Sequence, residues 1–202
     1  MLRLMRRATP IALLLALLTQ TGAQASTVSV SMVNFSFTPD PAKAKLGDTI
    51  TWTNTTTTTS HTSTQDSPLS LWDSGTVGPG GTFSFTITAA GVYPYHCIFH
   101  SSLGMTGKAG ALDIVTPKRG PIGTQFTVQV ASVTAPAGFV YDIQKKDPGG
   151  SFTDWMTGVT AMSEMWDSSG QAAGTYSFRS RLRKTSTGAA SGYSPGVSVQ
   201  IR

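Results

Sequence analysis

Cysteine is almost absent from this 202-residue chain, in which Cys97 stands alone. A single thiol excludes an internal disulfide framework and any four-thiolate zinc or iron–sulfur site. Histidine is nearly as scarce: His61, His96 and His100 are the full complement, so a site built from many imidazoles is excluded. Charged residues make up only 12%, and Glu and Leu are few after the opening segment, which argues against a helical protein. Long apolar runs are missing as well. The one run, Ile11 to Leu18, would extend about 12 Å as a helix, against the roughly 30 Å of a bilayer's hydrocarbon core. What is present points elsewhere. An apolar content of 39% is too high for a disordered chain. The abundance of Gly, Thr, Ser and Val favours an all-β protein.

The chain opens like a secretory signal peptide. Arg3, Arg6 and Arg7 precede the apolar run, and Ala23-Gln24-Ala25 supplies a small-x-small cleavage site. Cleavage is expected after Ala25, giving an exported protein, periplasmic or extracellular, with no transmembrane segment after signal removal. Loss of three arginines lowers the formal charge from +5 to +2. The basic balance is therefore partly an export signal, and no nucleic-acid partner is expected. The remaining charge is uneven: residues 26–116 carry a net −2 and residues 117–202 a net +4. That asymmetry predicts two domains, 26–116 and 117–202, after the signal peptide at 1–25.

Short alternating segments separated by turn signals predict β-sandwiches. In the first part they are residues 27–37, 49–53, 82–88, 92–97 and 108–115, with Phe83, Phe85 and Ile87 on one face. A polar threonine-rich loop follows residue 54, and Gly78-Pro79-Gly80-Gly81 reads as a turn. Residues 116–121 read as a linker. Strands resume over 125–131, 139–145, 175–183 and 197–201.

The chemistry gathers at the end of the first domain, in Tyr93-Pro94-Tyr95-His96-Cys97-Ile98-Phe99-His100 and on to Met105. Strand alternation puts Tyr93, Tyr95 and Cys97 on one face and His96 on the other. If Tyr95 faces the core, Cys97 points inward at the strand's end and His96 points away. The loop that follows is long enough to bring His100 and Met105 back to Cys97, and the upstream loop offers His61. One thiolate, two imidazoles and one thioether are the donors of a type 1 copper site. A thiolate and thioether suit Cu(I), and imidazoles suit Cu(II) as well. A catalytic thiol at Cys97 with a histidine base would leave His61 and Met105 unexplained.

These residues carry a family resemblance. Gly47-Asp48-Thr49-Ile50-Thr51-Trp52-Thr53-Asn54, His61-Thr62, Trp72-Asp73-Ser74-Gly75 and Gly78-Pro79-Gly80-Gly81-Thr82-Phe83-Ser84 are part of it. So are Tyr93-Pro94-Tyr95-His96-Cys97, His100 and Gly104-Met105-Thr106-Gly107-Lys108. Together they resemble the plastocyanin-like blue copper proteins, the cupredoxins, over about residues 27–115. The resemblance implies a Greek-key β-sandwich. It also implies one copper ion held by His61, Cys97 and His100 in a near-trigonal arrangement, with Met105 as a weak axial ligand. The chain departs from the photosynthetic plastocyanins by carrying Thr62 in place of Asn, Phe99 in place of Pro, and His96 in place of a surface Tyr. The resemblance therefore implies the copper site and not a photosynthetic role.

Phe139 to Lys146, Thr175 to Arg183 and Ser191-Gly192-Tyr193-Ser194-Pro195 resemble strands of fibronectin type III domains. This implies an immunoglobulin-like second sandwich, with Tyr141, Ile143, Tyr176, Phe178 and Trp166 in its core. Arg179, Arg181 and Arg183 alternate onto one face, which reads first as solvated surface and otherwise as a dock for a cell-surface or acidic partner.

The function expected is one-electron transfer by Cu(I)/Cu(II) cycling, with a redox partner protein docking near His100 beside Phe99, Leu103 and Pro68. The alternatives are copper delivery without a carrier role, and an adhesion module with a structural copper domain. No enzymatic activity is expected, because copper oxidases and nitrite reductases need further histidines and only His96 remains.

Overall fold

The computed structural model describes residues 25–66 and 69–202. The signal-peptide segment, apart from Ala25, and Pro68 lie outside them. Among the described residues the protein is all-β, and its one helical element is a 3-10 turn at Ser101–Leu103.

Two four-stranded sheets form the first half. One comprises β1 (Thr27–Val33), β2 (Ser36–Thr38), β4 (Thr49–Asn54) and β6 (Thr82–Thr86), in the order β2-β1-β4-β6. The other comprises β3 (Ala42–Ala44), β5 (Thr64–Gln65), β7 (Gly91–His96) and β8 (Thr106–Ala111), in the order β3-β8-β7-β5. Alternation does the sorting: Ile50 and Trp52 of β4 and Tyr93 and Tyr95 of β7 are buried while their neighbours face outward. The two inner faces meet through aromatic rings. Trp52 lies 5.4 Å from Tyr95 edge-on, and Phe37 lies 4.6 Å from Tyr95.

The structure breaks residues 27–37, expected as one strand, into a hairpin at Asn34-Phe35, with Val33 opposite Ser36. Apolar alternation runs on through the reversal because Phe35 and Phe37 keep the period of two, and no glycine marks the turn.

Residues 108–115, also expected as one strand, divide at Asp113. β8 stays in the first half, whereas β9 (Ile114–Thr116) pairs with β11 (Gln125–Gln129). A three-stranded sheet β14-β11-β9, with β14 at Ser163–Asp167, then faces a five-stranded one. The larger sheet has the order β10-β16-β15-β12-β13, from β10 (Arg119–Gly120), β12 (Phe139–Lys146), β13 (Phe152–Val159), β15 (Gly174–Lys184) and β16 (Val197–Ile201). The core between the two sheets holds Tyr141, Ile143, Tyr176, Phe178 and Trp166, the residues that the fibronectin type III resemblance implied, and β15 alternates buried with partly exposed positions. β13 escapes that alternation because it is an edge strand with register shifts against β12 and no regularly buried face.

The arginine row is engaged from within. Asp142 is buried and accepts from Arg181 Nε and from Arg183 Nε and Nη2. Burial alone would raise this carboxyl; hydrogen bonds from Arg183, the Gly158 N–H and Arg181 outweigh it and hold the group below its ordinary value. Arg179 stacks over Phe152 and Tyr193 at 4.1 and 4.8 Å.

The two sandwiches share backbone hydrogen bonds. Val92 and Gly192 exchange both N–H···O bonds at 2.9 Å, and Ala90 N–H donates to Val130 at 2.8 Å. Gly91 belongs here for steric reasons, since a Cβ would come within 2.6 Å of Ser191 Oγ. Asp113 is buried at this junction and accepts from the Ser180 and Ser194 hydroxyls.

Burial pushes the Asp113 carboxyl from 3.8 up to about 6, against the two serine hydroxyls. Its folded value lies above the unfolded one, so its contribution is fullest below about pH 4 and is lost as pH rises through about 6. Urea titrations should show the native protein losing on the order of 1–3 kcal/mol across that window relative to Asp113→Asn.

Candidate metal centre

Cys97 follows directly on β7, and strand alternation turns its side chain into the sandwich, where it is fully buried. The chain then folds back tightly. His100 N–H donates to the Cys97 carbonyl at 3.2 Å, and Leu103 and Met105 N–H groups donate to the His100 carbonyl at 3.0 and 3.1 Å. Gly104 takes a left-handed conformation, φ +83°, which glycine adopts without a Cβ penalty. Cys97 N–H donates in turn to the Met105 carbonyl at 3.0 Å, closing the loop.

His61 arrives from the other direction. It exchanges backbone hydrogen bonds with Val77, and both residues are buried. The threonine-rich segment before it is held by Asn54. The Asn54 side chain donates to the Thr59 and Val77 carbonyls and accepts from the Thr56 N–H and hydroxyl. A polar, low-complexity stretch is thereby fixed at the core's edge.

The consequence is a cluster. The donor atoms of His61, Cys97 and His100 all lie within 4.8 Å of one another. Cys97 Sγ is 3.4 Å from His100 Nδ1 and 3.9 Å from His61 Nδ1. Donors about 2.1 Å from a central ion in a trigonal plane lie about 3.6 Å apart, so the spacing fits a single ion. A thiolate with two imidazoles is the donor set copper takes in trigonal sites. Burial, and then the charge of His100, holds the His61 imidazole below its usual value. The ring is therefore neutral at neutral pH and keeps a lone pair for a metal. With Asn34, Phe35 and Thr55 to Thr59, His61 lines a cavity of about 410 Å³, and among the described residues its Nε2 has no hydrogen-bond partner.

Met105 is fully buried, and its backbone bonds to both Cys97 and His100. His96 points away, as alternation required, and its Nδ1 meets Asp66 Oδ1 at 2.6 Å.

Two residues of the site are not evident from sequence as contributors. Thr62 joins the ligand loops. Its backbone N–H donates to Cys97 Sγ at 3.3 Å, and its hydroxyl accepts the Ile98 N–H at 2.9 Å. A threonine standing where plastocyanins carry Asn thus still ties the loops together. Phe35 is the second: its ring centroid lies 4.6 Å from that of His100 and 6.3 Å from that of His61. Only the hairpin turn brings it there, and nothing in the local pattern signals it.

Thr62→Val removes the acceptor of a backbone N–H while keeping side-chain volume. It should destabilise the metal-free protein by about 1–3 kcal/mol in denaturant unfolding, with Thr62→Ser close to the native value.

A family model described as a cupredoxin-like domain matches residues 7–108, just over half of the chain. No curated protein matches the chain. Similar solved structures include the reduced Cu(I) form at pH 4 of an amicyanin mutant, 24% identical, covering 46% of this chain and 86% of that one with a TM-score of 0.39. The reduced state of another amicyanin mutant is 27% identical and covers 42% of this chain and 81% of that one, with a TM-score of 0.38. With the His61–Cys97–His100 cluster at the end of its first sandwich and the family match across that region, the chain belongs to the cupredoxin-like family.

Proposed function

We propose that the protein is an exported type 1 copper protein that carries single electrons and is not itself an enzyme. The observation that carries this reading is the meeting of one thiol and two imidazole nitrogens within bonding reach of one ion. Copper, when bound, supplies a one-electron couple. Cys97 offers the thiolate that holds both oxidation states. His61 and His100 offer nitrogens near the sulfur, and Met105, buried beside them, would add a thioether. The tied loops limit how far these donors move between oxidation states, which favours fast transfer.

The exposure pattern supports a route for the electron. His61 is fully buried and His100 only partly so, which makes His100 the port. Around it Ile98, Phe99 and Leu103 are half or more exposed. A redox partner protein docking there would bury this rim and shorten the path to the sulfur. His96 is engaged by Asp66, so none of the three histidines is left to build a second copper centre. The second sandwich serves as a binding or spacing module; Arg181 and Arg183 are already paired with Asp142, which leaves their row reading first as solvated surface and only secondarily as a face for an acidic or cell-surface partner.

One equivalent of Cu(II) added to the mature metal-free protein should give an intense visible absorption and a reversible one-electron voltammetric wave. Cys97→Ser should remove the colour without unfolding the chain. A colourless Cu(II) complex with no reversible wave would overturn the proposal.

A further inference from the structure

Phe35 is the most unusual backbone position near the site. It and Asn34 are the two loop residues of the β1–β2 hairpin, and both have positive φ, +63° and +44°. Asparagine tolerates that region and suits such a turn, which favours glycine after it. A bulky aromatic there is strained. Core burial does not offset the strain, because Phe35 remains 42% exposed. Its principal aromatic contact is instead the imidazole of His100, 4.6 Å away and tilted by 58°.

His100 needs such a brace. Among the described residues its ring has one polar side-chain partner, Cys97 Sγ at 3.4 Å. Its backbone sits in a reversing loop, whereas His61 is enclosed and paired on a strand-like bridge. The ring of His61, the other imidazole of the cluster, lies 5.0 Å away, and Phe99 approaches at 6.2 Å but belongs to the same loop and would move with it. Phe35 comes from a different element, one anchored by the register of β1 against β2 and β4.

We propose that Phe35 is a positioning residue: the strained β1–β2 turn holds its ring against His100 and sets that imidazole in its metal-binding orientation before the ion arrives. The inference rests on the copper reading for its purpose, but its geometric content concerns the metal-free chain. Part of the conformational cost of binding is then met during folding, so the ion meets donors already in place. The strain lies at the site and is retained there, which is where such outliers have functional content.

The test uses Phe35→Gly and Phe35→Tyr in the mature full chain, with copper as the probe. Phe35→Gly relieves the turn and deletes the brace. The folding equilibrium constant of the metal-free protein should stay equal or rise. The His100 ring should gain motion in nitrogen and carbon relaxation spectra, and copper affinity should fall about 10-fold or more. Phe35→Tyr should restore ring order and affinity. The proposal is overturned if Phe35→Gly leaves His100 order and affinity at native values, or if affinity falls only in step with folding stability. Should the native chain give no blue complex, the copper-carrier reading fails separately, and ring order in the metal-free protein still decides the role of Phe35.

Discussion

The sulfur of Cys97 is approached from two directions, and much of the first sandwich is organised around that meeting. One approach is local: the chain leaves β7, reverses through a 3-10 turn and returns as β8, so His100 reaches back over three residues. The other spans 36 positions to His61. Loop closure over that distance carries an entropic cost, and the pairing of the two sheets meets it as they fold. Thr62 then joins the loops through its N–H to the sulfur and its hydroxyl to Ile98. Three donors on two loops are thus gathered within 4.8 Å of one another, close enough to share a single ion.

The same economy appears in the threonine-rich loop. Asn54, buried at the end of β4, makes four hydrogen bonds that fix the residues leading to His61. A single amide thus adds a second donor to the Thr59 and Val77 carbonyls and an acceptor for the Thr56 N–H at the edge of an apolar core. The loop can therefore be low in complexity and still be a precise support.

The second sandwich is joined to the first by more than a chain connection. Exchanged hydrogen bonds between Val92 and Gly192 and the buried Asp113 with Ser180 and Ser194 link β7, the end of β8 and β15. β7 is also the strand that leads into Cys97.

Much of this was legible along the chain. Period-two alternation identified the buried faces of β4 and β7, and it turned Cys97 inward and His96 outward. The ligand types and their spacing named the chemistry of the centre. Alternation failed where direction changed without a change of period: at Asn34-Phe35, and at Asp113, where β8 ends and β9 joins another sheet. It failed also for β13, an edge strand with no regularly buried face. The chain by itself determined which residues face inward and which donors are available, because these follow from local period and side-chain chemistry. Tertiary structure alone decided that Phe35 braces His100, that Thr62 spans the two loops, and that Asp142 gathers Arg181 and Arg183. Those contacts join segments 35 to 65 residues apart, and such distances close only when whole sheets pack.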